Sequence, residues 1–309
     1  MTEPQLHHLP CPDPTGSHRL AYWQWGRWGQ WGQAQNAHLV LCVHGLTRQG
    51  RDFDTLARAL LERASALGQS LCVVCPDVAG RGASDWLSDP ALYQPLTYVA
   101  DMQALLAHLH AQQRIDRLDW VGTSMGGIIG MLAAAHSQAL PRPIEHLVLN
   151  DVGPHLDWTG LARIKGYAGR GGPFVSLQEG LDALRLNMAG FGPHSDQQWQ
   201  ELNTPMLKRS ADGRWALHYD PAIAAPLAGL SPQSNAQAGD VMQAFYEQIS
   251  AKTLLLRGAD SDLLSRQAAL AMTACGPRPA CIEFAGVGHA PTLMAQDQLQ
   301  AVLDFLLQS

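Results

Sequence analysis

The sequence is poor in charge and has no basic clusters. Asp, Glu, Lys and Arg make up 16% of it, with 21 basic residues against 27 acidic ones and a formal net charge of −6. Non-specific nucleic-acid binding needs clustered Lys and Arg to neutralise phosphates, so this balance argues against it. Long apolar runs are also missing. The longest, Met125–Ala135, falls well short of the roughly 20 residues that cross a bilayer. The first residues, Met-Thr-Glu-Pro-Gln-Leu-His-His, show no basic segment followed by an apolar stretch, and a cytoplasmic location is the default expectation. No Gly-x-Gly-x-x-Gly stands in a dinucleotide-binding context, and neither a P-loop nor a metal-ligand spacing is present. No cofactor and no metal are therefore expected. Glycine (29) and proline (19) follow no three-residue period, which excludes a collagen-like chain.

Cysteine is sparse: Cys11, Cys42, Cys72, Cys75, Cys275 and Cys281. Four of them (42, 72, 75 and 281) sit in apolar strand-like runs and read as reduced, buried small hydrophobes. Cys72 and Cys75 lie three apart in one predicted strand, so their side chains face opposite ways, a poor arrangement for a redox or zinc pair.

What is present is core-forming material. Hydrophobic residues make up 46% of 309, enough for one large α/β domain with an insertion, or for two domains. Strand-like runs are expected at His18–Trp25, Leu39–Val43, Leu71–Cys75, Leu118–Val121, Leu147–Asn150, Thr253–Arg257 and Cys281–Phe284. Helical stretches alternate with them near Asp52–Ala66, Tyr98–Gln112, Met125–Ala135, Ser265–Ala274 and Gln296–Leu307. This alternation predicts a mostly parallel sheet covered on both faces, with ligands at the carboxyl ends of the strands. From about Val152 to Pro232 no strand is expected. Helix-like pieces at Thr159–Tyr167, Leu177–Met188 and Asp196–Lys208 suggest a helical cap at 152–232, with the core formed by 1–151 and 233–309. Three Trp-Gly-x units, starting at Trp25, Trp28 and Trp31, suggest an elongated hairpin loop.

The chemistry concentrates at Gly122-Thr-Ser124-Met-Gly126, which follows an apolar strand and opens a small-residue helix. A tight strand–turn–helix strains the backbone of its central residue, and flanking glycines relieve the crowding. Ser124 is then held at the sheet edge beside a helix N-terminus, as a nucleophile rather than a simple helix N-cap. Serine needs a base. Of thirteen histidines, His289 in Gly286-Val-Gly-His-Ala-Pro sits in a loop just past a strand and is the expected one. His44, directly after Leu39–Val43, reads better as a structural neighbour of the turn presenting Leu46. His7 and His8 with Cys11, in a floppy tail, make a poor metal cluster. The base needs an orienting acid. Asp262, running into Leu263–Leu264, is the expected one, with Asp260 and Asp151 as alternatives.

On these residues the chain resembles the α/β-hydrolase superfamily over nearly its whole length. The matching segments are His44-Gly45, Asp77-Val-Ala-Gly80-Arg-Gly82-Ala-Ser84-Asp85, Gly122–Gly127, Gly258–Asp262 and Gly288-His289, with the order Ser, Asp, His. The resemblance implies an eight-stranded core, a cap after strand six and an oxyanion hole from the backbone N–H groups of Leu46 and Met125. One departure stands out. Many relatives place the acid three residues after the strand-seven glycine, where this chain has Ser261. Members with an Asp nucleophile, the haloalkane dehalogenases and epoxide hydrolases, do not match Ser124.

The expected function is hydrolysis of carboxylic esters of small to medium size through an acyl-enzyme. Carbon–carbon bond hydrolysis of vinylogous diketones and an inactive ligand-binding member are the alternatives. Trp158, Tyr167, Phe174, Phe191, Trp199 and Trp215 are candidates for an acyl pocket or for the cap's own core. Arg163, Lys165 and Arg170 are candidates for attracting a carboxylated substrate or for a solvated face.

Overall fold

The structure, a computed structural model, describes residues 3–26 and 37–307. Strands β1 (Gln5–Asp13) and β2 (Gly16–Trp25) form a hairpin. They are followed by β3 (His38–Val43), α1 (Asp54–Ala66), β4 (Leu71–Asp77), α2 (Pro95–Gln112), β5 (Arg117–Thr123), α3 (Met125–Ala135) and β6 (Ile144–Asn150). Next come α4 (Trp158–Tyr167), α5 (Leu177–Asn187), α6 (Asp196–Asn203), β7 (Leu207–Arg209), β8 (Trp215–Leu217), α7 (Ala225–Ala228) and α8 (Pro232–Tyr246). The last elements are β9 (Lys252–Gly258), α9 (Arg266–Ala274), β10 (Ala280–Phe284) and α10 (Gln296–Leu306).

Eight strands form one sheet in the order β1-β2-β4-β3-β5-β6-β9-β10, and β7 pairs with β8 separately. Only β2 runs against the rest: its pairings with β1 and with β4 are antiparallel, and the other pairings in the large sheet are parallel. The central strands β3 and β4 are buried along their whole length, as expected of parallel strands covered on both faces. Side-chain alternation sends Leu39, Leu41 and Val43 into one core and Val40 and Cys42 into the other. The first core packs against α2 and α3, the second against α1 and α10. Cys72 and Cys75 fall on opposite sides in the same way, and the cysteines are unpaired. After β4 the chain crosses over to place β5 on the other side of β3, so the topological switch point lies between β3 and β5.

Three differences from the sequence reading have local causes. The N-terminal residues read as a floppy tail form β1, paired with β2 from Gln5 to Asp13. Pro10 and Pro12 obscure the strand signal, but an edge strand tolerates them. The stretch expected to lack strands contains the β7–β8 ribbon, each strand only three residues long. The sheet does not resume directly after 232. Helix α8 intervenes, opened by Pro232 and a Ser231–Ser234 capping box, and only Gly239 and Tyr246 of it are buried. Its weak apolar face left no periodic signal. Trp28 and Trp31 of the Trp-Gly-x repeat lie outside the described residues, whereas Trp25 is buried at the end of β2. No helix among the described residues is long and apolar enough to cross a membrane.

At the amino-terminal end of the strands, fully buried Asp119 ties β3, β5 and β6 together. It accepts from His38 Nε2 (2.7 Å), Arg117 Nη2 (2.8 Å) and His146 Nδ1 (3.1 Å). Burial alone would raise its pKa. The hydrogen bonds from His146 and His38 and the charges of His38 and Arg117 outweigh burial and hold it well below the carboxylate range. A folded-state pKa below the unfolded one contributes stability above about pH 4 that is lost as pH falls further. Asp119→Ala should cost about 3 kcal/mol at neutral pH, a drop in melting temperature of roughly 5–10 °C by calorimetry. The gap between variant and wild type should narrow below pH 4, and a gap that stays constant into acid would contradict the assignment.

Candidate active site

The carboxyl ends of β3, β5, β6 and β9 converge on one spot. At the end of β5 the chain turns through Ser124 into α3. Ser124 has φ 53° and ψ −117°, a backbone region L-residues rarely occupy. The turn closes only because its neighbours lack side chains. A Cβ on Gly122 would lie 2.4 Å from the Gly126 carbonyl oxygen, and one on Gly126 would lie 1.9 Å from that of Val43. Helix α3 therefore starts directly against β3. Trp120 Nε1 donates to the Gly126 carbonyl (3.1 Å) and fixes the first turn from below.

Ser124 Oγ lies 2.9 Å from His289 Nε2. On the other side of the ring, His289 Nδ1 lies 2.8 Å from Asp151 Oδ2. An ionised carboxylate accepts only, so Nδ1 carries the proton and Nε2 is free to accept from the serine hydroxyl. Asp151 immediately follows β6, with φ 56°, and its amide donates to the Leu256 carbonyl (2.8 Å). Its carboxylate has no solvent exposure and takes two further hydrogen bonds, from Gly258 N–H (2.9 Å) and Ser261 Oγ (2.7 Å). Three donors offset much of the cost of burying the charge. Asn150 braces the same corner. Its side chain donates to Thr123 Oγ1 (2.9 Å) and to the Pro291 carbonyl (2.8 Å) in the histidine loop.

Asp262, the expected acid, does not reach the histidine. Its carboxylate is held by Arg163 of α4 at 2.6 and 2.8 Å, and that hydrogen bond lowers its pKa. Asp260 is exposed in the turn. The physical reason is distance along the chain. Asp151 stands directly on a strand end, as Ser124 does, whereas Asp262 lies beyond the β9 turn, where its side chain swings towards α4. The sign was in the sequence. Ser261, at the position where many relatives carry the acid, spends its hydroxyl on Asp151.

His44 is fully buried and held from both sides. Its Nδ1 lies 2.7 Å from the Gly45 carbonyl, and Val78 N–H donates to its Nε2 (2.9 Å). Burial lowers its pKa to about 3, so it stays neutral and structural. A Cβ on Gly45 would lie 3.7 Å from Ser124 Cβ, which brings the loop through Leu46 alongside the serine. Among the described residues, neither the Leu46 nor the Met125 amide donates to a backbone carbonyl.

The segment between β6 and β9 lies against these loops. Arg48 donates to Asn203 Oδ1 (3.1 Å) and to the Leu202 carbonyl (2.8 Å), and Gly288 N–H to the Gly190 carbonyl (2.6 Å). Gly82 N–H donates to the His218 carbonyl (2.9 Å) and Asp220 N–H to the Gly80 carbonyl (2.8 Å). Beside Thr47 this segment encloses a cavity lined by Tyr167, Phe174, Met188 and Tyr219, with Arg170 and Asn187 on its wall. Of the other aromatics considered above, Trp199 is buried against His194 and Phe191 lies under Arg48. Trp215 pairs with Phe174, and Trp158 packs near Leu161. Lys165 is spent on the carbonyls of Ala228 and Leu230 (2.8 and 2.9 Å).

The family model described as "Alpha/beta hydrolase family" matches residues 40–303. The chain belongs to this family. It is also 42% identical to a 3-hydroxybutyrate-oligomer hydrolase of Cupriavidus necator, over 98% of this chain and 97% of that one. Among solved structures, an alpha/beta hydrolase from Novosphingobium aromaticivorans superposes with a TM-score of 0.78 at 33% identity, covering 99% of this chain and 100% of that one. E-2-(acetamidomethylene)succinate hydrolase superposes with a TM-score of 0.75 at 19% identity, covering 98% and 99%, which is a likeness of fold alone.

The packing at the serine turn can be tested directly. Gly126→Ala drives a Cβ into the backbone of β3 and should cost about 3 kcal/mol or more. Gly229→Ala meets nothing within 4 Å and should leave the melting temperature unchanged. Equal melting curves for the two variants would refute the close α3–β3 approach.

Proposed function

We propose that this protein is a serine ester hydrolase acting on short oligoesters of hydroxyacids, with Ser124 as nucleophile, His289 as general base and Asp151 as the orienting acid. The observation that carries this reading is the unbroken line of hydrogen bonds from Ser124 Oγ through His289 to buried Asp151 at the strand ends. Ser124 Oγ attacks the ester carbonyl as His289 Nε2 takes its proton. The N–H groups of Leu46 and Met125 receive the developing oxyanion, supported by their lack of backbone partners and, for Met125, by the helix N-terminus. The tetrahedral adduct collapses, the C–O bond breaks, and His289 returns the proton to the leaving alcohol. Water, deprotonated by the same histidine, then releases the acid and restores Ser124.

The segment at 152–232 acts as a cap, supported by its hydrogen bonds to the loops at 45–49, 80–82 and 288. The substrate class rests on the 42% identical relative and on the cavity beside Thr47. Hydrolysing an oligoester of a hydroxyacid leaves both a hydroxyl end and a carboxylate end. Arg163 is neutralised by Asp262 and Lys165 is occupied. Arg170 lines the cavity, has no carboxylate within 4.0 Å among the described residues, and can pair with the substrate's terminal carboxylate.

Two sets of variants test the reading. Ser124→Ala should abolish hydrolysis of the 3-hydroxybutyrate dimer, and Asp151→Asn should lower kcat by about 10⁴-fold. Asp262→Asn should keep kcat within about threefold of wild type; the opposite ranking of the two aspartates would restore Asp262 as the acid. Arg170→Ala should raise KM for the dimer's free acid by about tenfold and leave its methyl ester unaffected. Equal KM changes for both would remove Arg170 from carboxylate recognition.

A further inference from the structure

Arg81 stands out among the charges of the described residues. It lies in the turn after β4, in Gly80-Arg81-Gly82, and has no solvent exposure. Among the described residues no carboxylate oxygen lies within 4.0 Å of its guanidinium. The carboxylate of Asp220 is one residue removed, bonded to the Tyr93 hydroxyl (2.6 Å), and the Tyr93 and Tyr98 rings lie under the guanidinium at 5.6 and 5.0 Å. A guanidinium stays protonated at any working pH, so this is a fixed, buried, unpaired positive charge. Such a charge is costly, and hydrogen bonds to neutral acceptors repay only part of the cost.

Its contacts show where the charge is aimed. Nε donates to the Leu46 carbonyl (2.8 Å), and Nη2 lies 3.7 Å from Met125 Sδ. Nη1 donates to the Ala79 carbonyl (2.6 Å) and to the Tyr98 hydroxyl (2.9 Å). One guanidinium thus grips both residues whose amides form the proposed oxyanion hole. We propose that Arg81 is a positioning residue for that hole, fixing Leu46 and Met125 and setting a permanent positive charge behind the two amides. The inference rests on the ester-hydrolase reading above. Negative charge develops on the substrate oxygen only in the transition state, so a cation behind the hole favours that state over bound substrate. The field reaches this loop: the charge of Arg81 is one of the influences that keep neighbouring His44 neutral, after burial itself.

The test compares Arg81→Met and Arg81→Lys with wild type in p-nitrophenyl butyrate hydrolysis and in the rate of Ser124 labelling by a fluorophosphonate, whose adduct places an oxygen in the same hole. Arg81→Met should lose roughly 10²-fold in kcat with KM within about threefold, and the labelling rate should fall by the same factor. Arg81→Lys, which keeps the charge but cannot span both partners, should recover part of the loss. Tyr98→Phe removes a buried partner of Arg81 without touching the hole. It should lower the melting temperature and leave kcat within about threefold. Wild-type kcat and labelling in folded Arg81→Lys and Arg81→Met would overturn the proposal, as would an equal kcat loss in Tyr98→Phe. If Arg81→Met does not fold, full activity of the lysine variant overturns it alone. Lack of ester hydrolysis by the wild type would instead overturn the ester reading, and the labelling rates would still decide the role of Arg81.

Discussion

The architecture around the site depends on one buried carboxylate. Asp151 has no contact with solvent, and its donors come from the last residue of β9, from the following turn and from the histidine loop. An ionised group in that position is tolerable only while all three donors stay in place. The charge therefore acts as a geometric constraint. It fixes the distance between β6 and β9, the path of the β9 turn and the rotamer of His289 together. Ser261 links that constraint to the chain beyond, because its hydroxyl also accepts from the amides of Leu263 and Leu264 (3.3 and 3.1 Å).

Much of this is legible in the sequence. The dense apolar runs predicted β3, β4, β5, β6 and β9, because strands buried on both faces must be continuously hydrophobic. Strand β10 was predicted on the same sign, but it is an edge strand in which only Phe284 is buried and Cys281, expected inside, is exposed. The serine turn was legible because steric exclusion leaves glycine as the residue that fits at 122 and 126. What stayed hidden was set by tertiary context. Strand β1 carries two prolines and two histidines, β7 and β8 are too short to show alternation, and α8 buries too little to show a periodic face. The choice among three aspartates could not be made from spacing. Both Asp151 and Asp262 come after strands, but Asp151 stands directly on a strand end, whereas Asp262 lies beyond the β9 turn, where Arg163 of α4 holds its carboxylate.

The segment between β6 and β9 is fastened to the core by shared apolar packing, by backbone hydrogen bonds and by arginine side chains. Arg48 serves Asp52, Asn203 and Leu202, and Arg163 carries a bidentate pair with Asp262 at the opposite side. Anchors of this type resist shear better than apolar contact alone, because each hydrogen bond fixes a direction. The wall of the cavity beside Thr47 is thereby held in register with the serine.

The two prolines of β1 have a consequence of another kind. In an antiparallel ladder alternate residues point their amides towards the partner and away from it, so Pro10 and Pro12, two apart, share one orientation. Both sit where the free edge of the sheet would otherwise offer N–H groups to a passing strand. The opposite edge, β10, is only five residues long. An eight-stranded sheet with one blunted margin and one short margin is a poor template for growth. The same fold that concentrates reactive groups at its strand ends thus discourages its copies from adding to one another edge to edge.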